Sequence, residues 1–194
     1  MKKAAPDKLV PAPARPAGSP ELSRRASRAE IRPALAVRRL LGVDPGTRKA
    51  GWGVVELRGA SITLVACGVV TASPTLPRGQ RLERIFAGLE EVLAAQRPEE
   101  AALEGTFAGV NPRSAIAMGE GRGVALLALS RAGIPVLELA PAEVKKAVTG
   151  NGAAGKLLVA RMVCARLGLR AVPAPADITD ALAAAIALAH RVRS

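Results

Sequence analysis

The chain has 194 residues, 28 Lys/Arg against 16 Asp/Glu, and a formal net charge of +12. That length bounds one ordinary domain with an appendage, and with one Trp, two Phe and no Tyr the core must be built from Leu, Val, Ile and Ala. No stretch has the 18 or so apolar residues of a membrane span, and Cys67 and Cys164 form neither a CxxC nor a zinc spacing, so a soluble, cytoplasmic protein with reduced thiols is expected.

Residues 1–39 carry ten Lys/Arg and three acids, rich in Pro, Ala, Arg and Ser without periodicity. Such a segment reads as a disordered basic tail. Three readings compete for it: a basic arm adding non-specific DNA affinity, a transit peptide, or a start placed too early, with initiation near Val37. An early start or an inert arm is the expectation. Residues 40–194 form the expected domain, with eighteen basic residues against thirteen acids. If four of those acids share one site, a basic surface surrounds an acidic centre, which suits a polyanion cut by metal ions.

An apolar run at 40–43 ends on Asp44, Pro45-Gly46 turns the chain, and a second apolar run follows at 52–57. This predicts a β-hairpin that delivers one carboxylate to the rim of a sheet. A third strand is expected over 62–71. Leu82, Ile85, Phe86, Leu89, Val92 and Leu93 recur at helical spacing, and Arg97-Pro98 stops that helix. Residues 101–104 form a short buried strand ending on Glu104. A helix over 112–131, a strand over 135–139 and helices over 141–149, 153–168 and 177–190 complete the pattern. Strands first, then alternation with helices, gives an α/β domain whose mixed sheet is flanked by helices. About 155 residues suffice to bury roughly 70% of the unfolded surface and stand alone.

Asp44 and Glu104 each end a buried strand, and Asp177 and Asp180 share a face at i and i+3 in the first turn of the last helix. Each has a plainer reading: turn chemistry for Asp44, an exposed strand end for Glu104, and N-cap or dipole roles for the other two. Their conjunction is harder to explain that way. Carboxylates 4 Å apart repel by about 4 kcal/mol per pair at an effective dielectric near 20, so a cluster needs shared protons or bound cations. Oxygen-only ligation points to Mg²⁺ or Mn²⁺, and two such ions serve in-line attack of water on a phosphodiester.

The segments Leu-Gly-Val-Asp44-Pro-Gly-Thr47, Leu-Glu104-Gly-Thr-Phe107, Glu120-Gly-Arg122-Gly-Val and Ala-Asp177-Ile-Thr-Asp180-Ala-Leu resemble the RuvC family of bacterial Holliday-junction resolvases over residues 40–190. The resemblance implies an RNase H-like fold, a homodimer, and Mg²⁺-dependent nicking of two symmetric strands of a four-way DNA junction in recombination and repair. It also implies that Asp44, Glu104, Asp177 and Asp180 bind the metal ions, two per site. The RuvA and RuvB branch-migration proteins are implied as partners.

Phe107, three residues past Glu104, matches a family phenylalanine thought to wedge into the junction; an aromatic there can stack on a base for about 1–3 kcal/mol. The alternative is a core side chain beneath a loop, and Ala108 and Val110 depart from bulkier or basic residues in relatives. Lys145 and Lys156 match family lysines near the scissile phosphate, the first being otherwise an ordinary solvated lysine. Arg113 and Arg122 are candidates for backbone-phosphate contacts or simple surface charges. Gly150-Asn-Gly-Ala-Ala-Gly-Lys156 satisfies two nucleotide-binding patterns, but Leu157 stands where a P-loop has Ser/Thr and a helix rather than a strand precedes it. A flexible loop bringing Lys156 to DNA is the better reading. His190 has no nucleophile or second ligand nearby in sequence and reads as a helix-end residue.

Three rivals remain. An actin-like ATPase or sugar kinase also places D-x-G-T on a hairpin, yet usually needs two such domains. The presence of all four acids argues against a non-catalytic DNA-binding relative. The smaller RuvX-type nucleases share the fold but not the placement of Glu104 and Phe107. Small residues at Ala115, Ala117, Gly119, Gly121 and Gly123 would permit close helix approach at a two-fold interface.

Overall fold

Three antiparallel strands open the domain: β1 (Val37–Asp44), β2 (Lys49–Arg58) and β3 (Ser61–Thr71). The computed structural model describes residues 36–105 and 111–193, without the Arg113 side chain. Helix α1 (Arg78–Gln96) crosses to β4 (Glu100–Glu104), and α2 (Pro112–Arg131) crosses to β5 (Val136–Leu139). Three helices follow: α3 (Pro141–Thr149), α4 (Lys156–Leu167) and α5 (Ala176–Arg191). The sheet order is β3-β2-β1-β4-β5, with β4 parallel to both its neighbours. None of the described helices is long and apolar enough to cross a membrane.

Alternation along the central strands builds two cores, one on each face. Leu40, Val55 and Ala102 face α3, α4 and α5, whereas Leu41, Val43, Val54 and Leu103 face α1 and α2. Both partners of each pair Leu40/Leu41, Val54/Val55 and Ala101/Ala102 are buried. That is why these strands read as continuous apolar runs. Phe86 packs with the α1–α2 core, and Arg131 lies over its ring, 5.7 Å from the centroid.

Local chemistry fixes the ends of the helices. Arg97, at φ 47°, closes α1 in the left-handed region. Asn111 Oδ1 accepts a hydrogen bond from Ser114 N at 2.9 Å, and Pro112 opens α2. Gly150 and Gly168 end α3 and α4 at φ 81° and 65°. The strand β1 starts three residues earlier than its apolar run, because Arg39 pairs with Glu56 at 3.1 Å and Arg38 with Glu100. Charge partners let polar residues extend the strand. Helix α4 begins at Lys156, later than the expected 153, since Gly155 is its N-cap.

Helix α5 packs tightly against β1 and β2. A Cβ added at Gly42 would lie 1.9 Å from Ala181 O and 2.5 Å from Ala185 N. At Gly51 it would lie 2.0 Å from Asp177 O, and at Gly53 2.4 Å from Leu182 Cδ2. Ala181, Ala184, Ala185 and Ala189 are fully buried. Glycine on the strands and alanine on the helix bring two backbones to near contact, closer than the usual 10 Å between layers.

Gly42→Ala is therefore expected to destabilise the fold by about 3 kcal/mol or more, the upper range of overpacking, because backbone rather than a flexible side chain blocks the methyl. Gly79→Ala, where nothing lies within 4 Å, should be neutral or stabilising. Urea unfolding of both variants checks this: equal midpoints would refute the close packing.

Candidate active site

The strand β1 delivers Asp44, and its parallel neighbour β4 delivers Glu104 to the same rim, since Val43 registers with Leu103 one step before each acid. The carboxyl ends of parallel strands are where open α/β sheets bind ligands. Helix α5 adds its acids from one face: Asp177 beside Gly51, which pairs with Asp44 across the hairpin, and Asp180 one turn on. Asp177 is not the N-cap; Pro175 is, and no side-chain hydrogen bond caps the helix.

A cleft of about 530 Å³ opens at this rim, lined by Asp44, Glu104, Asp180, Lys145 and Lys156 among others. Asp177 borders Asp44 and Asp180 without lining the cleft. Its charge raises the proton affinity of both. Burial, then the charges of Asp180, Asp177 and Glu104, push the Asp44 carboxyl up to about 7, against a smaller opposing pull from Lys156. Glu104 is raised by burial and by Asp180, with Lys156 and Lys145 opposing. Asp180 is raised chiefly by burial, while Lys156 lowers it and Asp177 raises it. Lys156 Nζ stands 3.8 Å from Asp180 Oδ2, an ion contact too long for a hydrogen bond.

Among the described residues, no three Asp, Glu, His or Cys side chains are gathered tightly enough to form a ready-made metal site. Asp44, Glu104 and Asp180 share one cleft rather than one point. The donor set nonetheless fits a hard divalent cation: the ligating atoms on offer are carboxylate oxygens, and Asp44, raised first by burial, is raised further by three neighbouring carboxylates whose charge a cation would offset.

The other sequence candidates fall differently. Lys145, on α3, and Lys156, at the start of α4, both reach the cleft. Phe107 lies outside the described residues. So does the side chain of Arg113, in the first turn of α2. Arg122 is not a free phosphate contact: its side chain is only 14% exposed, Nη1 donates to the Glu104 carbonyl oxygen at 3.1 Å, and Nη2 pairs with Glu138. Burial between α2, β4 and β5 makes it a clamp on the strand end that carries Glu104. Its sequence signal, an Arg between two glycines, gave no hint of this. Gly121 also works within the chain, where an added Cβ would lie 2.8 Å from the Gly46 carbonyl carbon. That close approach seats the turn after Asp44 on α2. The glycines of the nucleotide-like stretch punctuate helices: Gly150 ends α3 and Gly155 precedes α4. His190 sits in the last turn of α5 with Nε2 at 3.0 Å from Arg166 Nη1.

Residues 40–190 match the family described as Crossover junction endodeoxyribonuclease RuvC. A protein of that description from Anaeromyxobacter dehalogenans is 51% identical over 154 residues, 79% of this chain and 80% of the relative. The structure of T. thermophilus RuvC in complex with a Holliday junction substrate superposes with a TM-score of 0.76 at 39% identity, covering 80% of this chain and 95% of that one. The yeast mitochondrial Holliday junction resolvase shares the fold alone, at 12% identity and a TM-score of 0.57 over 78% of each chain. The chain belongs to the RuvC family, with its RNase H-like fold, and is a crossover junction endodeoxyribonuclease.

The raised Asp44 affinity has a signed consequence for stability. A carboxyl whose folded-state value exceeds its unfolded one favours the fold while protonated, and that advantage fades as pH climbs from about 4 through about 7. In EDTA, Asp44→Asn should match wild type near pH 3.5 and exceed it above pH 8 by up to about 4 kcal/mol. Chemical denaturation at both pH values measures this. A variant no more stable than wild type at pH 8 would contradict the electrostatic account.

Proposed function

We propose that this RuvC-family endodeoxyribonuclease binds divalent cations, Mg²⁺ with Mn²⁺ as a substitute, on Asp44, Glu104, Asp177 and Asp180. With them it cuts two symmetric strands of a four-way DNA junction. The observation that carries the reading is the convergence of Asp44, Glu104 and Asp180, from two strand ends and one helix, on a cleft edged by Lys145 and Lys156, with Asp177 close behind Asp44 and Asp180. The ions, when bound, would supply polarisation of a phosphodiester and a more acidic attacking water.

The chain's own residues have definable tasks. Asp44 must give up a proton to act as a ligand, so cation binding and protonation compete at its carboxylate near neutral pH. Rigid strand ends hold Asp44 and Glu104, which is how a ligand set is kept in register. Arg122 fixes the β4 end by its bond to the Glu104 carbonyl. Lys145 and Lys156 offset negative charge at the cleft and would face the phosphates of a bound strand. Lys156, with its side chain 88% exposed, is free to move toward DNA. Phe107 belongs to the proposal as the base-stacking residue.

Two strands related by symmetry call for two sites related by symmetry. The outward face of α2 suits a homodimer. Ile116 and Leu127 are 57% and 54% exposed, and between them Gly119 and Gly123 have nothing within 4 Å of an added Cβ. Two such faces can approach closely and bury the flanking apolar side chains. Cooperation with RuvA and RuvB is carried into the proposal from the family resemblance.

The decisive experiment is cleavage of a labelled four-way junction with Mg²⁺, against a linear duplex. Paired symmetric nicks in the junction alone are expected, and Asp44→Asn should lower the rate at least about 1,000-fold, the scale of losing an electrostatic catalytic group. Tight binding without nicks, in Mg²⁺ and Mn²⁺ alike, would overturn the catalytic reading. For the interface, Leu127→Glu should shift the protein toward monomer in sedimentation while preserving its circular dichroism. An unchanged dimer mass would place the contact elsewhere.

A further inference from the structure

A second recess of about 390 Å³ lies on the other side of the turn that follows Asp44. Thr47 and Arg48 wall it from the turn, Arg78 and Arg81 from α1, and Ile116 and Glu120 from α2. Its charge is one-sided, with three guanidinium groups against one carboxylate. Arg78 is already matched: its Nη2 lies 2.6 Å from Glu120 Oε1 and its Nε donates to Oε2 at 2.7 Å. Arg48 makes no side-chain hydrogen bond or ion pair among the described residues. Arg81 donates from Nη1 to the Leu76 carbonyl at 3.2 Å, but its Nε is shut off from solvent and has no acceptor. A buried donor on a charged group is costly to leave unmatched, and an unmatched one calls for a missing water or ion.

We propose that this recess is an anchoring subsite for a backbone phosphate of the DNA, held by Arg48 and Arg81 and separate from the phosphate that is cut. The inference rests on the reading of the chain as a junction endonuclease. The Asp44–Arg48 turn divides the recess from the catalytic cleft, with Asp44 and Pro45 lining one and Thr47 and Arg48 the other. Four residue steps span at most about 14 Å, so both openings lie within reach of a few nucleotides of one strand. The Arg48 fork, unpaired among the described residues, matches a phosphate's paired oxygens better than a lysine would, and Arg81 adds a second positive charge to the same wall. The Glu120 carboxylate, which would repel an anion, is neutralised by Arg78. A phosphate held here would set the register of the strand in the cleft without reading its bases.

The test is equilibrium binding of the full chain to a four-way junction and to a linear duplex, in EDTA, across a salt series. Wild type, Arg48→Gln and Arg81→Lys are compared, Arg81→Lys keeping charge but losing the fork. Single methylphosphonates scanned along one strand locate the phosphate. Arg48→Gln should weaken junction binding roughly tenfold, make the slope of log affinity against log salt shallower by about one, and become insensitive to one methylphosphonate that weakens wild type. Arg81→Lys should show a smaller loss at the same position. Junction preference with an unchanged slope and methylphosphonate profile would overturn the subsite and leave the junction reading intact. Binding indifferent to the junction that still loses its slope in Arg48→Gln would keep the subsite and overturn the junction reading. Weakened binding that tracks dissociation of the dimer by sedimentation would overturn the subsite, assigning these arginines to the interface.

Discussion

The contact between α5 and the β1–β2 hairpin is the constraint on which the rest of the structure depends. Gly42 and Gly51 let the α5 backbone approach the strands directly, Gly53 takes the Leu182 side chain, and Ala181 and Ala185 are buried at the contact. This intimacy sets the height of α5 above the sheet. With an ordinary layer spacing the first turn of the helix would stand off from the rim, and Asp177 and Asp180 would face solvent. Instead Asp177 lies against Gly51, directly across the hairpin from Asp44. The packing and the chemistry have the same origin.

Bringing these acids together carries an electrostatic penalty that the fold answers only in part. Burial and three neighbouring carboxylates raise the Asp44 affinity for protons, and Lys156 compensates weakly because it stands largely in solvent. A salt bridge of such an exposed lysine stabilises by only about 0–1 kcal/mol. The crowding at the site is electrostatic. The binding energy of the two cores holds the acids in place. Such a trade is common where function requires like charges side by side.

Much of this was legible in the chain because local rules and tertiary demands agree. Helices α2 and α3 fall where proline starts and apolar spacing place them, and the strand ends at Asp44 and Glu104 follow from apolar runs that stop on an acid. The apolar runs understated β1, whose first residues are held by arginine–glutamate pairs that no local pattern announces. Arg122 was misjudged for the same reason: whether an arginine is a surface charge or an internal clamp depends on what folds over it, here β4 and β5. The glycines of α2 divide in a way spacing cannot show, Gly121 facing Gly46 within the chain while Gly119 and Gly123 face outward. The pairing of Gly42, Gly51 and Gly53 with the alanines of α5, over a hundred residues apart, was likewise invisible until both were placed.

The meeting of Gly121 with Gly46 bears on how motion passes through the molecule. Most helix contacts are cushioned: a displaced helix is absorbed by side chains changing rotamer before any strand feels it. Here the interposed atoms are backbone alone, so no side-chain rotamer is available to take up slack. A shift of helix α2 at this point would therefore press directly on the turn that follows Asp44, two residues from the first carboxylate of the cleft.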